Sequence, residues 1–306
     1  MASPPSGVER DYPLSRLTTI RTGGAAELFA RAGSLHELER LLAWAQAEGL
    51  EVGVVGSGSN LLVADAGVRG LVLKLDTELS KIEIDGTRIE CGGGARLPAV
   101  SARAARAGLA GLEFGVNIPG TVGGAVRMNA NAYGGQLAQV LEWVDVSSAS
   151  GTRRRGPGEL GFSYRRSSLK PGEIVALASF QLEPSESEHV KAMLAEMRAR
   201  RKAAQPSGIK TFGSTFKNPD DPRAEGRTAG QLLEAAGCRG LRIGGASFSS
   251  KHANFIVNHG EATTADVVAL MGEGRRRVLE RFGIELEAEV QALGPVELPP
   301  EWSGAQ

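Results

Sequence analysis

The most constraining stretch of the chain lies between residues 117 and 135, where side chains are stripped away without the sequence turning polar. It reads Asn117-Ile118-Pro119-Gly120-Thr121-Val122-Gly123-Gly124-Ala125, then Met128-Asn129-Ala130-Asn131-Ala132-Tyr133-Gly134-Gly135. A solvated linker would be richer in Ser, Glu and Lys. Glycine lets backbone approach another surface closely, so backbone laid on a flat ligand explains this stretch better than a glycine-rich turn. The same economy appears upstream in Val54-Val55-Gly56-Ser57-Gly58-Ser59-Asn60-Leu61-Leu62. That run begins like a dinucleotide fingerprint, a strand followed by G-x-G. Leu61 then stands at the third glycine position, and an extended apolar stretch replaces the helix that would hold a pyrophosphate. What remains is a series of backbone N–H groups among small side chains, equally suited to a pyrophosphate nest and to a plain tight turn.

Glycine supplies 41 of 306 residues and has no period, which excludes a collagen-like chain. Thirty-five basic residues balance 35 acidic ones, so no global field recruits nucleic acid or an anionic membrane. A local anion site needs only a few cations and N–H groups. No apolar run approaches the ~18 residues of a membrane span, and residues 1–7 lack the basic and apolar regions of a signal peptide. A cytoplasmic protein is expected. Cys91 and Cys238 are far apart and form no CxxC, so two reduced thiols are expected. His36, His189, His252 and His259 show no metal-ligand spacing, and no metal site is expected.

Periodicity predicts helices over 34–48, 97–107, 187–202, 228–236 and 264–282, and strands over 52–55, 68–75, 140–146, 173–182 and 285–293. Ser34 and Glu37 read as a capping box. Residues 82–91 read as a hairpin turning at Asp85-Gly86. Pro206-Ser207-Gly208 breaks the chain before a third unit, and the proline-bearing tail 295–306 is expected to be mobile. The basic end of the 187–202 helix (Arg198, Arg200, Arg201, Lys202) fits either favourable cations at a helix C-terminus or a phosphate-facing cluster.

Three further segments are unremarkable one by one: Ser163-Tyr164-Arg165-Arg166-Ser167-Ser168, Gly213-Ser214-Thr215-Phe216-Lys217-Asn218-Pro219 and Leu286-Glu287-Ala288-Glu289-Val290. Taken in order with TTIRTGG (18–24), GSGSNLLVAD (56–65), IPGTVGGA (118–125), MNANAYGG (128–135), AGQLLEAAG (229–237), RIGGA (242–246) and KHANFIVN (251–258), they resemble one family closely. It is the UDP-N-acetylenolpyruvoylglucosamine reductases, in the larger FAD-binding superfamily shared with vanillyl-alcohol oxidase. The similarity runs from about Leu17 to Gly294, and it matches the shorter of two family types.

The resemblance implies an α+β fold: a two-part FAD-binding module of the vanillyl-alcohol-oxidase type plus a C-terminal α+β substrate-binding domain. The expected divisions are 1–78 (joined by 285–294) and 79–186 for FAD, 187–284 for the UDP-sugar, and 295–306 as a flexible tail. It implies non-covalent FAD held by Gly56, Ser57, Gly58, Ser59, Asn60, Leu61 and Leu62, and by Asn117, Ile118, Pro119, Gly120, Thr121, Gly123, Gly124 and Ala125. NADPH is the implied co-substrate, and a monomer is expected.

The family's catalytic positions fall on Arg165, Ser214 and Glu289, with Tyr164, Lys217, Asn218, Arg201 and Lys202 as substrate contacts. Arg165 would stabilise an enolate beside the substrate carboxylate, Ser214 would protonate carbon, and Glu289 would hold a proton or orient the enol end. Gln291 stands where the family usually has Arg, and Asn131 where it usually has Gly. Two other readings compete: a flavin-dependent alcohol oxidase of the same superfamily, and a non-catalytic flavin or UDP-sugar binder. Oxidases of that kind often tether flavin through His or Cys, and Cys91 is the one such residue between His36 and His189.

Overall fold

The computed structural model describes residues 4–206 and 208–298. Ser207 of the expected break and residues 299–306 of the expected tail lie outside the described residues. The chain forms two compact units. The first comprises 1–10, 27–57 and 69–201, and the second 11–26, 58–68 and 202–306.

The first unit is built on two sheets. In one, Val68–Leu75 lies between Ala25–Ala32 and Val52–Val54, the latter pairing parallel to it. Helix α1 (Leu35–Ala47) buries Leu38, Leu41, Leu42 and Ala45 against this sheet's hydrophobic cluster, the stripe its sequence spells out. Its N-terminus uses half of the expected capping box. Ser34 Oγ accepts from the Glu37 N–H at 3.2 Å, but the Glu37 carboxylate accepts from the N–H of Gly33 instead of closing the box on Ser34.

The second sheet is antiparallel, in the order Gly151–Arg155, Leu141–Ser148, Ile174–Gln181, Arg88–Gly92, Ile82–Asp85. The predicted hairpin is present, but Asp85 pairs with Arg88, so the turn is centred on Gly86-Thr87. Positive φ at Gly86 alone fits a type II′ turn. The edge strand Gly151–Arg155 escapes sequence reading because Thr-Arg-Arg-Arg has no apolar alternation. Its arginines are instead paired with Glu159, Asp145 and Glu173.

Helix α2 (Leu97–Arg106) and the short helix α3 (Val122–Arg127) pack on the core of this second sheet. α3 was not expected, because the sequence reads as loop there. Thr121 caps it, and Gly123 donates to the Gly93 carbonyl at 2.8 Å. Helix α4 (Ser187–Ala204) turns Val190 and Leu194 inward, with Met197 partly covered.

In the second unit, α5 (Ala229–Ala235) and α6 (Thr264–Phe282) share a core with a three-stranded antiparallel sheet, Arg242–Ile243, Ala246–Phe248 and Ile256–Asn258. Gly274 sits mid-helix in α6 because a Cβ there would lie 2.6 Å from the Phe248 ring. The predicted final strand is regular only over Gln291–Leu293, which pairs parallel with Leu61–Val63. Before it the chain is extended and joined by single contacts such as Phe216 with Ala288. Val296 and Leu298 pack against the same core. Among the described residues, no helix is long and apolar enough to cross a membrane.

Candidate active site

In the first unit, Tyr164 and Arg165 form the tip of a tight turn closed by paired hydrogen bonds between Ser163 and Arg166, at 3.1 and 3.2 Å. Arg165 sits there at φ 57°, in the left-handed region. A non-glycine residue held there costs on the order of 1–3 kcal/mol and persists only where its surroundings fix it. Those surroundings come from the MNANAYGG segment. Buried Asn129 donates to the Ser163 carbonyl at 3.1 Å, and the Asn131 carbonyl accepts from Arg165 Nη1 at 3.2 Å. Arg127, at the end of α3, donates to the carbonyls of Leu169, Lys170 and Glu173, while Ser167 donates to the Arg127 carbonyl.

The segment read from sequence as ligand-facing therefore also braces the arginine turn, a role that nothing in its composition signals. Asn131 has no positive φ, so its replacement of glycine requires no unusual backbone. Asn117 Nδ2 donates to Tyr133 Oη and to the Met197 carbonyl, both at 2.8 Å, tying the start of the glycine-rich run to α4. At the end of this unit, burial pulls the proton affinity of half-exposed Arg201 down, opposed by Tyr133. Lys202, exposed and at the start of the second unit's last segment, offers its carbonyl to Lys251.

The glycines of the segments 56–58 and 120–124 divide into two kinds. A Cβ on Gly56 would collide with Thr121 Oγ1, and one on Gly58 with the Leu17 carbonyl. One on Gly123 would press on the Gly93 carbonyl at 3.2 Å. These positions are glycine because the protein itself fills the space. Gly120 and Gly124 differ: the nearest atoms to a Cβ would be 3.9 and 3.6 Å away, and neither has positive φ. Nothing in the chain's packing or backbone demands glycine at these two.

In the second unit, Ser214 follows Gly213 and forms a bridge with Phe255. Its neighbour Thr215 accepts through its carbonyl from the Glu289 N–H at 2.8 Å, so the two segments carrying Ser214 and Glu289 lie side by side. Asn254, 3% exposed, clamps this pair. Its carbonyl accepts from the Thr215 N–H at 2.8 Å, its Oδ1 from the Phe216 N–H at 2.9 Å, and its Nδ2 donates to the Phe216 carbonyl at 2.8 Å. The Glu289 carbonyl accepts from Asn60 Nδ2 at 3.0 Å and from Gln291 Nε2 at 3.2 Å. Lys217 pairs with Glu287 at 2.8 Å, and Asn218 Oδ1 accepts from the first N–H of α5. Glu287, ordinary by sequence, thus has a defined partner. Asn254 lies in KHANFIVN, but no spacing signal marks it as the residue that holds the Ser214 segment.

Both cysteines are free and buried. Burial pushes the Cys91 thiol up to about 12 and the Cys238 thiol to about 11. Cys91 is therefore neither exposed nor ionised near neutrality, which removes the one central residue that could tether a flavin covalently.

Residues 26–156 match the model of a FAD binding domain, and residues 205–293 that of the UDP-N-acetylenolpyruvoylglucosamine reductase C-terminal domain. The two together define a flavin-dependent oxidoreductase. The chain is 46% identical over 292 residues to UDP-N-acetylenolpyruvoylglucosamine reductase 2 of Symbiobacterium thermophilum, covering 95% of this chain and 93% of that one. It is 44% identical to the reductase of Sphingopyxis alaskensis, covering 93% of this chain and 94% of that one. The solved UDP-N-acetylenolpyruvylglucosamine reductase of Thermus caldophilus superposes with a TM-score of 0.80 at 40% identity, over 94% of this chain and 98% of that one.

This chain belongs to the UDP-N-acetylenolpyruvoylglucosamine reductase family, and the FAD-binding module plus C-terminal domain expected from its sequence is the architecture it has. FAD is the family's cofactor, and Gly120 and Gly124 leave room for a Cβ that the chain's own packing does not take.

Proposed function

We propose that this protein catalyses the NADPH-dependent reduction of UDP-N-acetylglucosamine enolpyruvate to UDP-N-acetylmuramate, a step of peptidoglycan synthesis, as a cytoplasmic monomer. The observation that carries this reading is that one chain holds both a FAD-binding domain and the reductase C-terminal domain, with near full-length relatives of that activity. The division at 78, 186 and 284 belongs to the same proposal.

Bound FAD supplies hydride transfer from NADPH to the vinyl CH₂ of the substrate. The chain's own residues handle the charge and the proton. Hydride addition leaves an electron pair on the carbon bearing the carboxylate, delocalised as an enolate. Arg165, fixed in its turn by the 127–131 segment, has the planar cationic group suited to that carboxylate. A preset cation costs no reorganisation as the charge develops. Ser214 delivers a proton to the carbon, a strong enough acceptor for a hydroxyl donor. Glu289 orients the enol end or returns a proton to the serine.

Gly56, Ser57, Gly58, Ser59, Asn60, Leu61 and Leu62, with residues 117–121 and 123–125, hold FAD without a covalent bond. Tyr164, Lys217, Asn218, Arg201 and Lys202 bind the UDP-sugar. Mass spectrometry of the product tests the reading. The enolpyruvyl sugar should gain two hydrogens, with one NADPH oxidised for each product formed. NADPH consumed at equal rate with and without the sugar, and no such product, would refute it.

A further inference from the structure

Lys74, half-buried near the end of the Val68–Leu75 strand, is the one lysine of the first unit's parallel strand pair. The Val55 N–H donates to the Leu73 carbonyl at 2.9 Å, and one residue on, Lys74 Nζ donates to the Gly56 carbonyl at 2.6 Å. A peptide group is planar and trans, so the Gly56 C=O and the Ser57 N–H point in opposite directions. Holding the carbonyl on the lysine side turns the Ser57 N–H to the other side. Among the described residues, that N–H donates to no protein acceptor.

The charge around Lys74 is unbalanced. Burial is the main force lowering its pKa, and Arg31 and Arg96 add to it. Asp76 opposes them and, paired with Arg31 at 3.2 Å, offsets that guanidinium, which leaves Arg96 as the uncompensated cation. A half-buried ammonium under the repulsion of a further uncompensated guanidinium is costly unless an anion completes the site.

We propose that Lys74 is a cofactor-positioning residue: by gripping the Gly56 carbonyl it presents the Ser57 N–H, with net positive charge behind it, to the diphosphate of FAD. Without that grip the peptide is free to flip and to offer its carbonyl, which repels an anion. The inference rests on the reading of 56–62 and 118–125 as the flavin loops.

Lys74→Met keeps the stem and removes donor and charge, and Lys74→Arg keeps both. FAD is stripped from the holoenzyme and its dissociation constant measured by flavin fluorescence on re-addition, with the unfolding midpoint of each apoprotein measured alongside. Lys74→Met should bind FAD at least about tenfold more weakly, the scale of a charged hydrogen bond, with Lys74→Arg restoring affinity to within about threefold. A purely structural lysine would instead lower the apoprotein midpoint and leave the affinity of the folded fraction unchanged. Should Lys74→Met not fold, Lys74→Gln decides in the same way. Wild-type affinity in the uncharged variant overturns the proposal. Gly124→Val, measured beside it, then separates the causes: lost FAD there leaves the loop reading standing, and full binding removes it as well.

Discussion

The glycine run at 118–125 and the Ser214–Glu289 segments are both read as functional, yet they are built by opposite means. The first is bare: at Gly120 and Gly124 an added Cβ would meet only ordinary contacts, at 3.9 and 3.6 Å. The second is crowded. Thr215, Phe216, Asn254 and Glu289 are interlocked by four hydrogen bonds of 2.8 to 2.9 Å, most of them out of water. A cofactor that stays bound needs a surface shaped by absence. The backbone that follows Ser214 is fixed by this dense polar clamp. The comparison also separates glycines that the fold itself requires, Gly56, Gly58 and Gly123, whose Cβ would meet the protein's own atoms, from Gly120 and Gly124, which it does not.

The largest expected effect lies in the crowded region. Ser214→Ala should slow reoxidation of reduced flavin by the enolpyruvyl sugar by ~10²–10⁴-fold, the range of lost acid–base assistance. Flavin reduction by NADPH should stay within about twofold, and stopped-flow absorbance reads both halves. Glu289→Gln should follow the same pattern. Equal slowing of both halves would make Ser214 structural.

The bare region gives the next effect. Gly124→Val should weaken FAD by ~100-fold or more, about 2.7 kcal/mol, with little change in the apoprotein's unfolding midpoint. Gly58→Val is a poor probe, because its Cβ strikes the Leu17 carbonyl at positive φ and the fold suffers first. If Gly124→Val stays fully yellow, the distinction between the two kinds of glycine collapses.

The clamp itself is tested by stability. Asn254→Ala leaves the Phe216 N–H and C=O buried and unpaired, which costs about 1–3 kcal/mol for each group. Urea unfolding should show this as a lower midpoint at unchanged slope. A loss under about 0.5 kcal/mol would mean that the segment is held elsewhere. The smallest effect belongs to Glu287→Gln. Its ion pair with Lys217 is part-exposed, and such pairs contribute up to about 1 kcal/mol. The substitution should leave the reoxidation rate nearly unchanged and shift the Michaelis constant for the sugar by a small factor, through Lys217. A rate loss matching Glu289→Gln would erase the difference between the two carboxylates.

What was legible in the sequence follows the same divide. Leu38, Leu41, Leu42 and Ala45 announce α1 because burial of a stripe depends on spacing alone. Missing side chains announce a close approach, so the glycine run was readable as special. Which glycines the fold itself demands was not, because that depends on Thr121, Leu17 and Gly93 arriving from elsewhere. α3 was hidden because Gly-Gly disfavours helix locally and only its packing on the core and the Gly123–Gly93 hydrogen bond recover it. Arg165, Ser214 and Glu289 came from ordered motifs. The residues that hold their segments, Asn129 and Asn254, act through long-range hydrogen bonds that no local pattern encodes.

The central claim is that FAD on this chain carries hydride from NADPH to an enolpyruvyl sugar. An anaerobic two-step titration tests it most directly. NADPH should bleach the yellow holoenzyme, and one equivalent of UDP-N-acetylglucosamine enolpyruvate should restore the colour and yield one equivalent of UDP-N-acetylmuramate. Colour that returns only on admitting oxygen, with the sugar recovered unchanged, would contradict the account.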